Sequence, residues 1–269
     1  MTAAEGTTPL ADPLRPEPTP PPASVSPHRK RFMIVYAILA AALGVGIAGI
    51  VIFAGRAIHP GPRWSTWQPG GGGLGAAKEI ADHVSATYHL PSGQELVGVI
   101  AKAPSVSPSN QQIPIHFVAL RDAKGQITSI DPVSSSDSVM YSLCGLGQAC
   151  SIATGKPSVA RGTLVRREIL ELALYTFKYV GNVKHVIAFM PPTPGSQPTL
   201  AVYLQKSDLS TELKLPLART LSPEVPLPEQ ITAREQQTID STTASRVYKF
   251  SLSQAQNGDA ILVLSQLTA

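Results

Sequence analysis

The sequence is poor in the residues from which most recognisable active sites are built. Cys144 and Cys150 are the only cysteines among 269 residues, so a four-thiolate zinc site is excluded and at most one internal bridge is available. The six histidines do not group. His83 and His89 are spaced so that a helix cannot present both on one face, and His116 and His185 fall in strand-like runs. No metal ligand is assigned. Charged residues are 15% of the chain and aromatics 6%, and the Lys and Arg behind the formal +4 charge are scattered. Without a basic stripe interleaved with aromatics, no nucleic-acid partner is expected.

Nucleotide and hydrolase motifs are missing as well. Gly70 and Gly75 have the separation of a phosphate loop, but Ala76 and Ala77 stand where Lys and Ser or Thr are needed. Ser134, Ser135 and Ser136 beside Asp137 lack the G-x-S-x-G elbow and fit a serine-rich turn. No catalytic residue, cofactor-binding residue or cofactor follows from the sequence.

What the chain does have is one long run without a charge, FMIVYAILAAALGVGIAGIVIFAG, from Phe32 to Gly55. At about 1.5 Å per residue, a hydrocarbon core about 30 Å thick takes about 20 apolar residues. The run is expected to be a transmembrane helix in the lipid bilayer. It exceeds the apolar region of a signal peptide, and the tail before it exceeds an ordinary n-region, so it is expected to remain as a signal anchor. His28, Arg29, Lys30 and Arg31 precede it, whereas Arg56 and Arg63 follow. That bias favours a cytoplasmic N-terminus and an extracytoplasmic C-terminal domain on a single-pass cell-membrane protein. Within the span, Ala40, Gly44 and Ala48 recur at every fourth position. Such a stripe lets two helices approach, and pairing with itself or another membrane protein would use it, although small residues are also common in membrane helices.

Four segments follow from this division. Residues 1–31 contain PLRPEPTPPPASVSP and are expected to form a disordered, Pro-rich cytoplasmic tail. Residues 32–55 are the span. Residues 56–73, RAIHPGPRWSTWQPGGGG, show no helical or strand period and form a juxtamembrane linker. Trp64 and Trp67 in it would rest at the headgroup level or cap the folded domain. Residues 74–269 are the extracytoplasmic domain.

The domain repeats one order of elements. LGAAKEIADHVSATYHL carries Ala77, Ile80, Ala81, Val84 and Tyr88 on one helical face, and the strand-like ELVGVIAKAP and IPIHFVALRD follow. A second helix begins after Pro157 and ends before Gly181-Asn182, followed by VKHVIAFMPP and TLAVYLQKSD. A third helix-like run, PEQITAREQQTIDSTTA, precedes RVYKFSLSQAQ and DAILVLSQL, joined by Asn257-Gly258. With that pair as a two-residue turn, Leu252 would face Val263 and Phe250 would face Ser265, placing Tyr248, Phe250 and Leu252 toward the core. The fold class expected is α+β, with helices packed on a largely antiparallel sheet in repeated helix-strand-strand units.

The second helix is the most apolar. Val165, Ile169, Leu172, Ala173, Phe177 and Val180 form its stripe, widened by Leu170 and Leu174, with Arg167, Glu171 and Lys178 on the opposite side. Glu168 and Glu171 could present paired carboxylates, or could pair with Arg166 and Arg167 as ordinary ion pairs. In YSLCGLGQACSI, two glycines between Cys144 and Cys150 allow the tight path of a local bridge. A disulfide is the expectation outside the cell, and a reversible redox pair the alternative.

Through YSLCGLGQACSI, RREILELALYTFKYV and VIAFMPP the chain resembles uncharacterised single-pass membrane proteins of actinobacterial type. The resemblance implies a bacterial envelope setting and carries no activity, cofactor or site residue. Together these features point to an anchored binding or assembly module of the envelope, with envelope proteins or wall polymer as partners. The alternative is an envelope-acting enzyme that assembles its site from separated segments, for which a cleft lined by Glu168, His116 or Ser136 would speak.

Overall fold

The computed structural model describes residues 63–106, 112–153, 157–256 and 258–267. The Pro-rich tail, the span Phe32–Gly55 with its Ala40, Gly44 and Ala48 stripe, and the turn residue Asn257 lie outside the described residues. Among the described residues no helix is long and apolar enough to cross a membrane.

In chain order the described elements are α1 (Gly73–Ser85), β1 (Gly98–Lys102), β2 (Ser105–Val106), β3 (Ile113–Arg121), β4 (Ile127–Pro132), β5 (Ser138–Cys144), α2 (Val159–Tyr179), β6 (His185–Phe189), β7 (Leu200–Gln205), α3 (Leu217–Thr220), α4 (Ala233–Thr243), β8 (Val247–Gln254) and β9 (Ala260–Gln266). The strands lie in the order β1-β5-β6-β7-β8-β9-β3, with β2 and β4 both on β3. All pairings are antiparallel except β5 with β6 and β3 with β9. The fold is thus α+β with a mostly antiparallel sheet, as the alternation of apolar residues led us to expect.

Alternation along the strands builds two cores. Val139, Tyr141 and Leu143 of β5, Val186 and Ala188 of β6, and Val202 and Leu204 of β7 join the core that contains α1 and α2. The residues between them, Met140, Ile187, Ala201 and Tyr203, join a second core with Ile115, Val118, Leu262 and Leu264. Because neighbouring side chains in a strand point to opposite faces, the central strands are buried on both sides. The β8-β9-β3 part of the sheet curls over the face that the helices leave free.

Three local expectations are corrected. The order helix-strand-strand holds for the second and third units, where β6-β7 and β8-β9 are antiparallel pairs, but five strands follow α1, including the unforeseen β4 and β5, and β1 and β3 are not partners and lie near opposite ends of the sheet. β1 buries Ala101 and leaves Ile100 58% exposed, which suits an end strand covered on one face. β3 buries residues of both parities, Ile115, Val118 and Ala119, and has a neighbour on each edge in β9 and β4. The last hairpin is shifted by one residue, pairing Leu252 with Leu262 and Phe250 with Leu264. Gly258 has a φ of 89° and Ala255 N donates to Asp259 O, so the loop is one residue longer than a two-residue turn. Tyr248 and Phe250 still pack on the second core, whereas Leu252 is exposed. Finally, α1 stops at Ser85, and Tyr88 is buried from the turn that follows, where its N–H donates to Ser85 O.

The second helix is enclosed more completely than its stripe implies. Ser158 caps it, its side chain accepting from Arg161 N at 3.1 Å. Fourteen of its 21 residues are buried, among them Glu168 and, on the side expected to face water, Arg167. That side is covered by the chain from Leu217 to Thr243, whose α4 packs along it through Ile239.

Candidate functional site

Four segments distant in sequence close on a cavity of about 550 Å³: the chain at Arg63–Thr66, the end of α1 with His83 and Thr87, Glu171 and Tyr175 of α2, and residues 216–225. The aromatic side of this region is built from the first described residues. Trp64 meets Tyr175 and Tyr179 edge-on at 5.5 and 5.6 Å between ring centroids, and Trp67 stacks on His83 at 3.9 Å. Ser65 Oγ and the Tyr179 hydroxyl are 2.7 Å apart, and Leu217 N donates to Trp64 O at 2.7 Å. Of the two places open to Trp64 and Trp67, the structure therefore shows the cap on the folded domain. The stretch from Arg63 onward packs with α1 and α2.

Beneath the cavity lies a buried polar network centred on Arg167, which has no exposed side-chain surface. Its Nε donates to Glu235 Oε1 at 2.8 Å, its Nη2 to Ser222 O at 2.7 Å, and its Nη1 to Glu171 Oε2 at 3.2 Å and to the Tyr88 hydroxyl. Tyr88 in turn donates to Glu171 Oε2 at 2.6 Å, and Ser222 N donates to Glu235 Oε1 at 2.9 Å. One guanidinium thus ties α2 to the turn after α1, to the segment after α3 and to α4. Glu235 sits three residues after Thr232, whose hydroxyl accepts from Glu235 N at 3.3 Å. The spacing is that of a capping box, but the carboxylate turns inward to Arg167 instead of back to the cap.

The charges shift one another. Burial would lower Arg167, but Tyr88, Glu171 and Glu235 outweigh it and hold the guanidinium above its usual value. Glu171 is raised by burial, with Arg167 and the Tyr88 hydroxyl pulling against the rise. Burial and Glu171 push the Tyr175 phenol up to about 12, and burial lowers His83. Glu171 is bound through Oε2 only. Its Oε1 accepts no hydrogen bond from the described residues, and Glu171 is one of the residues that line the cavity.

The two carboxylates singled out on α2 therefore part company. Glu171 pairs with Arg167, while Arg166 pairs with Asp240 at 2.7 Å. Glu168 is fully buried, and neither of its oxygens has a partner among the described residues. Burial, followed by the charges of Glu171 and Glu95, raises it well above the ordinary carboxyl range.

Glu168, His116 and Ser136 are not gathered at the cavity. His116 is on β3, half exposed and 3.9 Å from Asp259, and Ser136 sits with Gly73 and Val180 in the lining of a separate, smaller pocket. His185 on β6 belongs to a different network, its Nδ1 2.8 Å from the Tyr203 hydroxyl, which also lies 3.0 Å from Asp131 Oδ2. Cys144 and Cys150 lie at disulfide distance, with Cα atoms 4.4 Å apart. Their loop is closed by Gly145 N donating to Cys150 O and Ala153 N to Gly145 O. Among the described residues no group of three His, Cys, Asp or Glu is placed to hold a metal ion.

Sequence reasoning missed Tyr88, Ser222 and Glu235 as partners of one arginine, and the joining of Trp64 with Tyr175. The one local signal was the i, i+4 spacing of Arg167 and Glu171. Compared with protein-family models, with curated proteins and with solved structures, the chain matches none.

Proposed function

We propose that the chain is a membrane-anchored module of the bacterial envelope that holds a ligand or partner in the cavity behind Trp64. In this reading Phe32–Gly55 is the anchor, the N-terminus is cytoplasmic and residues 63–269 act outside the membrane. The observation that carries it is the cavity: a recess with aromatic and apolar walls, a few polar groups and one carboxylate side chain, Glu171, held in a fixed network is the usual composition of a binding site. The anchor's sequel roofs this recess through Arg63–Thr66, so in the proposed topology the site belongs to the part of the domain joined most directly to the membrane.

The test places a photo-crosslinking amino acid at Thr66 or Ala218 in the full chain in living cells. Adducts with an envelope protein or with wall polymer are expected from both positions, and none from Ser241, an exposed residue on α4 outside the cavity. Equal or absent adducts at all three positions would sink the proposal.

A second reading has its own observation. His83, Tyr175 and Glu171 line one cavity from separated segments, the kind of assembly an enzyme would need. Turnover of an envelope substrate that is lost in His83→Gln, with the fold retained, would decide for it.

A further inference from the structure

We propose that the cavity takes the ammonium group of an amine with an apolar or aromatic body, accepted by Glu171 Oε1. This rests on the cavity being a binding site. The acceptor is prepared before any ligand arrives: Tyr88 and Arg167 hold Oε2, which steadies the carboxylate and leaves Oε1, in a residue that lines the cavity, without a hydrogen bond from the described residues.

Charge then selects the sign of the ligand. Arg167 serves Glu235 through Nε and Glu171 through Nη1, so one guanidinium faces two carboxylates. A carboxylate or phosphate entering the cavity would meet this excess of negative charge at close range, whereas an ammonium offsets it. The cations nearby do not cancel the effect. Arg63 lines the cavity but is exposed, so solvent screens it, and Lys178 is engaged over the Trp64 ring at 5.5 Å. Burial favours neutral His83. The walls suit the rest of such a ligand: Trp64 and Tyr175 bring aromatic rings that attract cations, and Leu217, Leu221 and Val225 receive an alkyl or aryl body.

The probes are phenethylamine, its neutral counterpart 2-phenylethanol and the anion 3-phenylpropanoate. Each is titrated into the full chain in detergent and followed by the fluorescence of Trp64 and Trp67, the only tryptophans of the chain, and by calorimetry. Phenethylamine is expected to bind about tenfold or more tighter than the alcohol, the scale of one charge-assisted hydrogen bond, with the anion weakest. Glu171→Gln should erase the preference for the amine over the alcohol. Because Glu171 belongs to the buried network, a second variant leaves that network alone: Ala218→Phe, from an exposed position on the lining, should fill the cavity and abolish binding of amine and alcohol alike. If the alcohol binds as well as the amine to the native chain, the cation assignment is wrong while the cavity remains a binding site. If none of the three binds, the amine proposal falls, while the binding reading stands or falls separately on the crosslinking from Thr66 and Ala218.

Discussion

A guanidinium with no exposed surface is stable only when its charge and its donors are met, because stripping it of water costs several kcal/mol that hydrogen bonds must offset. Arg167 meets this through Tyr88, Glu171, Glu235 and Ser222 O. Glu168, the next residue, is the opposite case: it is buried with no partner for either oxygen among the described residues. Its raised pKa makes it a source of pH-dependent stability. Between the ordinary carboxyl pKa and the raised one, the folded chain binds one proton more at this site than the unfolded chain does. Stability from Glu168 is therefore full at low pH and falls as pH rises, by about 1.4 kcal/mol per pH unit while the difference lasts. Glu168→Gln keeps the shape and cannot ionise, so it is expected to flatten the decline. Thermal melting of native and variant chains between pH 5 and pH 8 checks this. Parallel curves for the two would show that the Glu168 proton is not held by the fold. None of this was legible in the sequence, since Arg167 stands opposite an apolar stripe and looks solvated until α4 covers it, and Glu168 could equally have paired with the neighbouring arginines. Periodicity along a helix reports which face is apolar, and it is silent about whether another element covers the polar face.

At the scale of single elements, the Cys144–Cys150 loop shows why its glycines are where they are. A Cβ on Gly145 would lie 2.5 Å from Ser151 O and 2.7 Å from Ile152 Cα, both backbone atoms that cannot swing aside. Gly145→Ala is expected to cost about 1–3 kcal/mol, the usual range for forcing atoms into filled space. Gly162, in α2, is the control: a Cβ there meets nothing within 4 Å. Gly162→Ala is expected to raise stability by about 0.5–1 kcal/mol, because alanine loses less backbone freedom in a helix. Melting curves followed through tryptophan fluorescence should move in opposite directions, and a neutral Gly145→Ala would mean that the backbone at Ser151 and Ile152 yields without cost. The glycines, the local bridge, the α2 stripe and the Tyr248 and Phe250 side of β8 could all be foreseen, because each depends on residues close in sequence. Strand partners could not. The parallel pairs β5-β6 and β3-β9 and the separation of β1 from β3 follow from which strands bury both faces, and that is decided by distant segments. The hairpin register failed by one residue because Asn257-Gly258 suits both a two-residue turn and a longer loop ending in a left-handed glycine.

For the whole molecule, the proposed topology turns on the side of the membrane on which the domain would lie, and the cysteine pair can report it without any added label. His28, Arg29, Lys30 and Arg31 outnumber Arg56 and Arg63 around the proposed span, which favours a cytoplasmic N-terminus. Arg63 also lies on the cavity lining, so this charge is part of the folded domain rather than of a free flank. On the extracytoplasmic side, oxidising conditions keep a bridge between Cys144 and Cys150 closed, whereas thiol buffers on the cytoplasmic side keep such pairs reduced. A bridge over so short a loop contributes roughly 2 kcal/mol on the chain-entropy estimate. Cells are lysed in acid to freeze thiol exchange, and the chain is alkylated with a mass-bearing maleimide in denaturant, before or after reduction. No mass shift is expected before reduction, and a shift of two maleimides after it, since the chain has no other cysteine. Cys144→Ser and Cys150→Ser singly should each give one maleimide without reduction, which shows that the reagent reaches both positions. A native chain that takes two maleimides before reduction would place the domain among cytoplasmic thiols, and the envelope role proposed for the cavity would have to be abandoned.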